Sequence, residues 1–265
     1  MHAPLADVVR RDDGRGVMLG FSGGLDSTVL LHLLAANTDI RRNGLGAIHV
    51  HHGLHADADA WAAQCQRSCD ALDVPLSIVH VDVDRASGQG LEGAARDARH
   101  RAFAQALADD EILALAHHRD DQAETFLLRA LRGSGVDGLA AMRSWRAYAN
   151  GWLWRPLLDV AREELHEHAT AHGLAWIEDA GNGDPRFDRN FLRNAVMPLL
   201  RQRWLSARPG RLAFFRNAYL VFTLGFIGWW AQGQLSILAL TSAIEAGMAR
   251  RALDFLLADP VAVLL

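Results

Sequence analysis

The chain has 265 residues, which is enough for one sizeable domain with an extension or for two small domains. Its net charge is −4 at pH 7 and its pI is about 6.3, so bulk positive charge does not indicate a nucleic-acid binder. Cys65 and Cys69 form neither a C-x-x-C redox pair nor a zinc set, which predicts a reduced, cytoplasmic setting. The first residues lack the apolar core of a secretory signal peptide, so none is expected.

A glycine-rich segment, Ser-Gly-Gly-Leu-Asp-Ser at residues 22–27, lies between two apolar runs. Residues 17–19 have the length of a strand, and residues 28–34 have helical character. The context predicts a strand, a tight turn and a helix N-terminus. Unpaired N–H groups and the helix dipole make such a terminus an anion-binding site.

The residue types in this segment suit phosphate groups. Gly23 and Gly24 let backbone N–H groups approach phosphate oxygens, and Ser22 and Ser27 offer hydroxyl groups. Asp26 would repel phosphates unless a cation lay between them, which predicts Mg²⁺ at Asp26. The plainer interpretation is a glycine turn of the kind found in any α/β protein.

Two common phosphate loops are excluded. The Walker pattern requires Gly-Lys-Ser/Thr, but the chain contains no lysine, and the dinucleotide fingerprint G-x-G-x-x-G is absent. What remains resembles the PP-loop of the ATP-pyrophosphatase superfamily, whose members cleave ATP between its α and β phosphates. The resemblance implies ATP binding by Ser22, Gly23, Gly24, Leu25, Asp26 and Ser27.

Further strands and helices alternate along the chain. Strands are predicted at residues 45–50, 76–81 and 112–116, and helices over residues 56–72 and 91–107. This alternation indicates an α/β fold, a parallel sheet with helices on both faces. Ligands of such sheets bind at the carboxyl ends of the strands. The glycine loop, the histidines after the second strand and an acidic group after the fourth are expected to meet at that edge.

The acidic group consists of Asp120, Asp121 and Glu124 at the start of a predicted helix. Asp120 and Glu124 are four residues apart and share one helical face. Acidic residues in a first turn are commonly complements to the helix dipole. At the same sheet edge as a phosphate loop, they also suit a metal ion or an ammonium group.

Histidines are frequent near the same edge. They are His49, His51, His52, His55, His117 and His118. Strand alternation sends His49 and His51 to one face and leaves no closed set with cysteine, so a structural zinc site is not expected.

Several segments carry a more specific resemblance. They are residues 22–27, 49–54 (HVHHGL), 116–129 (AHHRDDQAETFLLR), 131–139 (LRGSGVDGL), 154–158 (WRPLL) and 188–193 (DRNFLR). In this order they resemble the catalytic domain of the tRNA(Ile)-lysidine synthetase family, and the match runs from about Val17 to Trp204.

This resemblance implies a two-step reaction. ATP adenylates the C2 oxygen of cytidine 34 in an isoleucine tRNA with a CAU anticodon and releases pyrophosphate. The ε-amine of free lysine then attacks C2 and expels AMP. The implied catalytic residues are Asp26, Asp120, Asp121 and Glu124, the last three holding the lysine ammonium group or a metal ion. Substrate or RNA contacts are implied for His51, His52, Arg96, Arg132, Arg189, Asn190 and Arg193.

Two other functions stay open. A 2-thiocytidine-type PP-loop enzyme would need a C-x-x-C pair, whereas this chain has Cys65 and Cys69 in a C-x-x-x-C arrangement. An ATP-binding remnant that does not modify tRNA is the second alternative.

The C-terminal part departs from the synthetase family. We predict a catalytic domain over residues 1–204, a basic linker over 205–216 and a hydrophobic tail over 217–265. Residues 217–244 carry no charge and are long enough, as a helix, to span a bilayer. The alternative is a buried helical hairpin. The tail resembles a membrane segment of a regulatory protein of nitrous-oxide respiration, which indicates a fusion or a chimera.

Overall fold

The computed structural model describes residues 5–11, 13–84, 90–135, 140–184 and 187–202. The chain divides into two compact units, Met1–Met197 and Pro198–Leu265. The predicted boundary at residue 204, the linker and the hydrophobic tail lie outside the described residues, so membrane attachment stays a prediction. Within the described part, no helix has the length and apolar character needed to cross a membrane.

Six strands form one sheet in the order β3-β2-β1-β4-β6-β5. Their bounds are Val17–Gly20 (β1), Leu45–His51 (β2), Leu76–His80 (β3), Ile112–Ala114 (β4), Trp145–Tyr148 (β5) and Gly151–Trp154 (β6). All neighbouring strands pair in parallel except β5 and β6. The four predicted strands are therefore confirmed, and their carboxyl ends lie at one edge of the sheet.

The expectation of a wholly parallel sheet is wrong at β5. This strand runs antiparallel to β6, with Trp145 opposite Trp154 and Tyr148 opposite Gly151. Only Ala149 and Asn150 join the two strands, and so short a connection permits a hairpin but no crossover. Both strands have four residues, which is too short for their apolar pattern to be distinguished from that of a loop.

Helices cover both faces of the sheet. They are Leu25–Ala36 (α1), Thr38–Asn43 (α2), Ala58–Asp70 (α3), Gly90–Ala106 (α4), Arg119–Leu131 (α5), Arg162–Ala171 (α6), Asp188–Phe191 (α7) and Met197–Leu200 (α8). Short 3₁₀ turns occupy Leu5–Val9 and Ala180–Gly183, and a π-helical turn occupies Leu192–Val196.

Alternating residues of β1 separate two hydrophobic cores. Val17 and Leu19 pack with α1, α3 and α6, whereas Met18 packs with Phe103 of α4 and Leu113 of β4. Because successive side chains of a strand point to opposite faces, these two cores lie on opposite sides of the sheet. The predicted α/β layering is thus confirmed, and it holds the end of β1 firmly in place.

Three histidines pack together between α1 and α6. Nδ1 of His32 lies 3.1 Å from Nε2 of His168, and the rings of His168 and His172 stack with centroids 4.1 Å apart. In this contact one of the two nitrogens carries a hydrogen and donates it, and the other nitrogen accepts. Protonation of the accepting nitrogen would bring two N–H groups together and break the hydrogen bond. Burial first, and then the charges of His172 and His32, lower the pKa of His168 to about 4.

We predict that acidification loosens this contact. The pKa of His168 is lower in the folded than in the unfolded state, where it is near 6.5, so its contribution is complete above pH 6.5 and is lost as the pH falls towards 4. His168→Phe should reduce the loss of Tm between pH 7.5 and 5.0 by about 2–4 °C, equivalent to about 1 kcal/mol for a partly exposed histidine. Differential scanning fluorimetry measures this, and an unchanged pH dependence would contradict it.

Candidate functional site

The loop between β1 and α1 is bonded internally. Oγ of Ser22 lies 3.0 Å from Oγ of Ser27, and Ser27 also donates to the carbonyl of Gly24 at 3.0 Å. Thr28 donates to the carbonyl of Gly23 at 3.3 Å. Gly24 is the N-cap of α1 and offers no side-chain cap, so an anion can take that place. The predicted succession of strand, tight turn and helix N-terminus is therefore confirmed, whereas phosphate binding by Ser22–Ser27 stays a prediction.

Gly23 cannot be replaced without strain. Its φ is +79°, and a Cβ there would lie 2.5 Å from Cδ1 of Ile177 and 2.8 Å from Sγ of Cys65. The N–H of Ile177 also donates to the carbonyl of Gly23 at 2.9 Å, so the backbone has little room to move. By contrast, φ of Gly24 is −73°, and a Cβ there would meet only Oγ of Ser22 at 3.6 Å.

Gly23→Ala should therefore destabilise the protein by about 2–4 kcal/mol, since it combines a positive φ with overpacking. Gly24→Ala is the matched control in the same loop and should not lower stability by more than about 0.5 kcal/mol. Chemical denaturation of both variants measures the difference. Equal losses of stability would show that the crowding at Gly23 does not determine the loop conformation.

His118 links the glycine loop to α5. This histidine is 1% exposed and caps α5, because its Nδ1 accepts from the N–H of Asp120 at 3.2 Å while Asp121 accepts from the N–H of His118 at 3.1 Å. Its Nε2 lies 3.5 Å from Oδ2 of Asp26 and 3.5 Å from Oδ2 of Asp121. The imidazole proton is assigned to Nε2, because Nδ1 is an acceptor.

Neighbouring carboxylates affect the pKa of His118. Burial opposes protonation, but the interaction with Asp26 and the charges of Asp121 and Asp120 outweigh it and raise the pKa of His118. Nε2 of His118 and Oδ1 of Asp26 are buried and have no hydrogen-bond partner among the described residues. Mg²⁺ in phosphate sites is commonly bound by one or two carboxylates together with phosphate oxygens and water. The orphaned oxygen of Asp26 therefore fits the predicted role.

Two arginines bind the carboxylates of α5. Arg189 donates from Nε to Glu124 at 2.8 Å and from Nη2 to Asp121 at 3.0 Å. Arg193 donates from Nε to Glu124 at 2.7 Å and from Nη2 to Glu124 at 3.0 Å and Asp121 at 3.1 Å. Glu124 is 1% exposed, so this cluster of two carboxylates and two guanidinium groups is a buried, charge-balanced network. We call these four residues the arginine–carboxylate cluster.

Glu124 shares its arginine partners with Asp121, whereas the predicted spacing placed Asp120 and Glu124 on one face of the helix. Oδ2 of Asp120 instead accepts from the N–H of Arg162 at 3.1 Å. The helix geometry allows this because Asp121 and Glu124 are three residues apart and also neighbours on the helix surface.

Other predicted residues lie in different surroundings. Arg132 forms an exposed ion pair with Asp188 at 3.2 Å, and Asn190 donates to the carbonyl oxygens of Gly181 at 2.9 Å and Asp184 at 3.0 Å. Asn190 thus supports the loop before α7.

Glu124→Gln should lower the free energy of unfolding by about 2 kcal/mol, because two partly buried guanidinium groups lose half of their compensating charge. The corresponding fall in Tm is about 4–8 °C. Arg132→Gln is the matched control, since it removes an exposed ion pair between the same two helices and should change stability by about 0.5 kcal/mol or less. Thermal unfolding that gave similar values for both variants would contradict the structural role of the cluster.

The histidines after β2 have separate partners. Nε2 of His51 lies 2.9 Å from Asp59, and its ring packs against His80 with centroids 4.4 Å apart. Nδ1 of His52 is buried without a hydrogen-bond partner among the described residues, and burial followed by the charge of Arg99 lowers its pKa to about 4. His51, His52 and His80 line a cavity of about 460 Å³. Across the described residues, no three His, Cys, Asp or Glu side chains are grouped so as to hold a metal ion.

Positive charge gathers at the same edge. Arg96 and Arg99 are exposed on α4, and partial desolvation, then the charges of Arg96 and Arg189, lower the pKa of Arg99. Arg155 is 7% exposed and donates from Nε to His117 at 3.2 Å. This concentration of arginines suits an anionic ligand.

Sequence reasoning did not assign roles to His118, His117, Arg99 or Arg155. The position of His118 between a buried strand and an acidic helix N-terminus is a signal that was available, because a residue there faces the ligand edge of a parallel sheet. No comparable signal marks Arg155, whose contacts depend on β5 and β6.

Comparison with known proteins agrees with the geometry of the loop. The family described as the PP-loop domain matches residues 1–200, which is most of the chain. The chain belongs to the PP-loop domain family.

Relatives within this family are closely similar. A tRNA(Ile)-lysidine synthase of Xanthomonas axonopodis pv. citri is 69% identical over 204 residues, which is 77% of this chain and 46% of that protein. One from Xylella fastidiosa is 58% identical over 209 residues, covering 79% of this chain and 47% of that protein. One from Pseudomonas putida is 53% identical over 224 residues, covering 83% and 51%. The chain spans about half the length of these curated relatives.

A solved structure shares the fold at low identity. The U34-tRNA thiolase NcsA from Methanococcus maripaludis, with its [4Fe-4S] cluster, has a TM-score of 0.60 and 20% identity, covering 82% of this chain and 76% of that one. It supports the PP-loop α/β architecture.

Proposed function

We propose that this chain carries the catalytic domain of a cytoplasmic ligase that joins lysine to C2 of cytidine 34 in a tRNA(Ile) with a CAU anticodon. ATP is the co-substrate, and AMP and pyrophosphate are the products. The supporting observation is that His118 brings the carboxylate of the glycine loop and the acidic start of α5 to one place, 3.5 Å from each. The similarity to tRNA(Ile)-lysidine synthases supports this choice of substrate.

The nucleotide would bind at the start of α1. Ser22–Ser27 offer backbone N–H groups and two hydroxyl groups to the phosphates, and the helix dipole adds positive potential. Asp26 would hold Mg²⁺, which neutralises charge on the phosphates of ATP. Leu25 is 6% exposed and contributes packing beneath the loop.

Lysine would bind beside the nucleotide. Its ε-ammonium group requires carboxylate partners, and Asp121 and Glu124 are the buried carboxylates nearest to His118 on α5. Asp120 lies at the rim of this site and orients the N-terminus of α6 through Arg162.

The anticodon would approach along the arginine-rich edge. Arg96 and Arg99 are exposed on α4 near His52, and arginine is well suited to bidentate contacts with phosphate. The overall charge of −4 makes such a local patch necessary for binding a polyanion.

A sulfur-transferring function is less well supported. Iron–sulfur clusters are held by cysteine thiolates, and thiolates form readily only where the pKa is depressed. Here Cys65 and Cys69 are both buried, and burial first raises the pKa of each to about 12. Cys65 packs against the glycine loop, where it has a structural role.

Asp26→Asn should lower the rate of tRNA-dependent ATP–pyrophosphate exchange at least about 100-fold, because the loop loses its cation-binding carboxylate. Asp39→Asn is the matched control, since Asp39 also lies in the first turn of a helix but in α2. Circular dichroism should show that both variants are folded. Normal exchange by Asp26→Asn would exclude the proposed role.

The substrate assignment has its own assay. Radiolabelled lysine should be incorporated into a transcript of tRNA(Ile) with a CAU anticodon and not into the same transcript with a GAU anticodon. Incorporation of sulfur in place of lysine would favour the 2-thiocytidine-type enzyme. ATP binding without either product would favour the ATP-binding remnant that does not modify tRNA.

A further inference from the structure

The carboxylates proposed to bind lysine already bind two guanidinium groups in this structure. Oε1 of Glu124 accepts from Arg193, and Oε2 accepts from both Arg189 and Arg193. Oδ1 of Asp121 accepts from both arginines, and its Oδ2 accepts from the N–H of His118. Two negative charges are thus balanced by two positive charges. An incoming ammonium group would meet a neutral cluster and would have to displace a guanidinium group.

The two arginines are only partly committed to the carboxylates. Each uses Nε and Nη2, and their Nη1 groups make no hydrogen bond to another described residue. Their side chains retain 28% exposure, whereas Glu124 is 1% exposed. A guanidinium group at the solvent boundary can turn outward without burying an unpaired charge. Glu124 cannot do so, because it lies on the inner face of α5.

The cluster is also connected to the nucleotide loop. Asp121 and Asp26 each lie 3.5 Å from Nε2 of His118. Burial lowers the pKa of Arg193, but hydrogen bonding to Glu124 and the charges of Glu124, Asp121 and Asp26 outweigh it and raise this pKa. The negative charge of Asp26 thus contributes to the electrostatic environment of Arg193. A triphosphate bound there brings several negative charges, and two oxygens of one phosphate group can accept two hydrogen bonds from one planar guanidinium group.

We propose that Arg189 and Arg193 gate the lysine site: they occupy Asp121 and Glu124 in the free protein, and the phosphates of bound ATP draw at least one guanidinium group away from the carboxylates. The vacated carboxylate oxygens then accept the ε-ammonium group of lysine. This inference rests on the proposed function and adds an order to it, in which ATP precedes lysine. The gate keeps free amines from the carboxylates before a nucleotide is present.

The proposed gate couples the binding of lysine to the binding of ATP, and this coupling can be measured. Titration calorimetry on the full chain should show that lysine binds at least about 10-fold more tightly with a non-hydrolysable ATP analogue and Mg²⁺ than without them. The affinity for the analogue should rise by the same factor when lysine is saturating, because coupling between two sites is reciprocal. Norleucine, which lacks the ε-ammonium group, should show no such coupling.

A variant separates gating from direct lysine binding. Arg193→Gln removes one competing guanidinium group, so lysine affinity without nucleotide should rise and the effect of the analogue should shrink to less than about threefold. Arg42→Gln is the matched control, because it removes an exposed arginine–aspartate pair on α2, outside the cluster. In the absence of RNA it should keep the full coupling.

Three results would overturn the inference. The first is equal lysine affinity of the unmodified chain with and without the analogue, a measurement that needs no variant to fold. The second is weaker lysine binding by both Arg193→Gln and Arg189→Gln, which would make the arginines part of the lysine site. The third is no lysine binding under any condition. tRNA-dependent pyrophosphate exchange is then the separate measurement of whether the proposed adenylation stands.

Discussion

A buried carboxylate needs a compensating charge, and the side chain of Glu124 is almost wholly enclosed. Arg189 and Arg193 supply that charge from α7 and the π-helical turn after it, elements too short to be stable alone. The ionic contacts therefore position the end of the described chain against α5. Without them, neither the acidic start of α5 nor the two arginines would have a defined place beside the glycine loop.

The parallel sheet explains why this charge cluster faces a phosphate loop. β1 and β4 are adjacent and parallel, so the residues that follow them emerge at the same edge. Asp26 follows β1 by way of the glycine turn, and His118 lies between the end of β4 and the start of α5. Burial of β1 and β4 between two hydrophobic cores holds these positions in place, as the proposed nucleotide site would require.

Charge balance in the site has a functional consequence. Carboxylates that bound only lysine would be unpaired before lysine arrived, at a large cost in stability. An arginine that moves to the phosphates takes one positive charge from the cluster, and the ε-ammonium group of lysine replaces it. The cluster is therefore neutral in the free protein and again once lysine is bound. The same contacts that stabilise the free protein would thereby impose an order on substrate binding, as proposed above.

The amino-acid sequence by itself determined the glycine turn, strands β1 to β4 and the acidic start of α5, because these depend on local patterns: glycine content, apolar runs and first-turn carboxylates. It did not reveal that Asp121 and not Asp120 shares the arginine partners of Glu124, since residues three apart and residues four apart are both neighbours on a helix. Nor did it reveal that Arg189 and Arg193, some 65 residues further along, bind these carboxylates. The antiparallel β5, the buried Arg155 and the role of His118 were likewise decided by tertiary structure. The physical reason is that burial and charge pairing join residues that no local pattern connects.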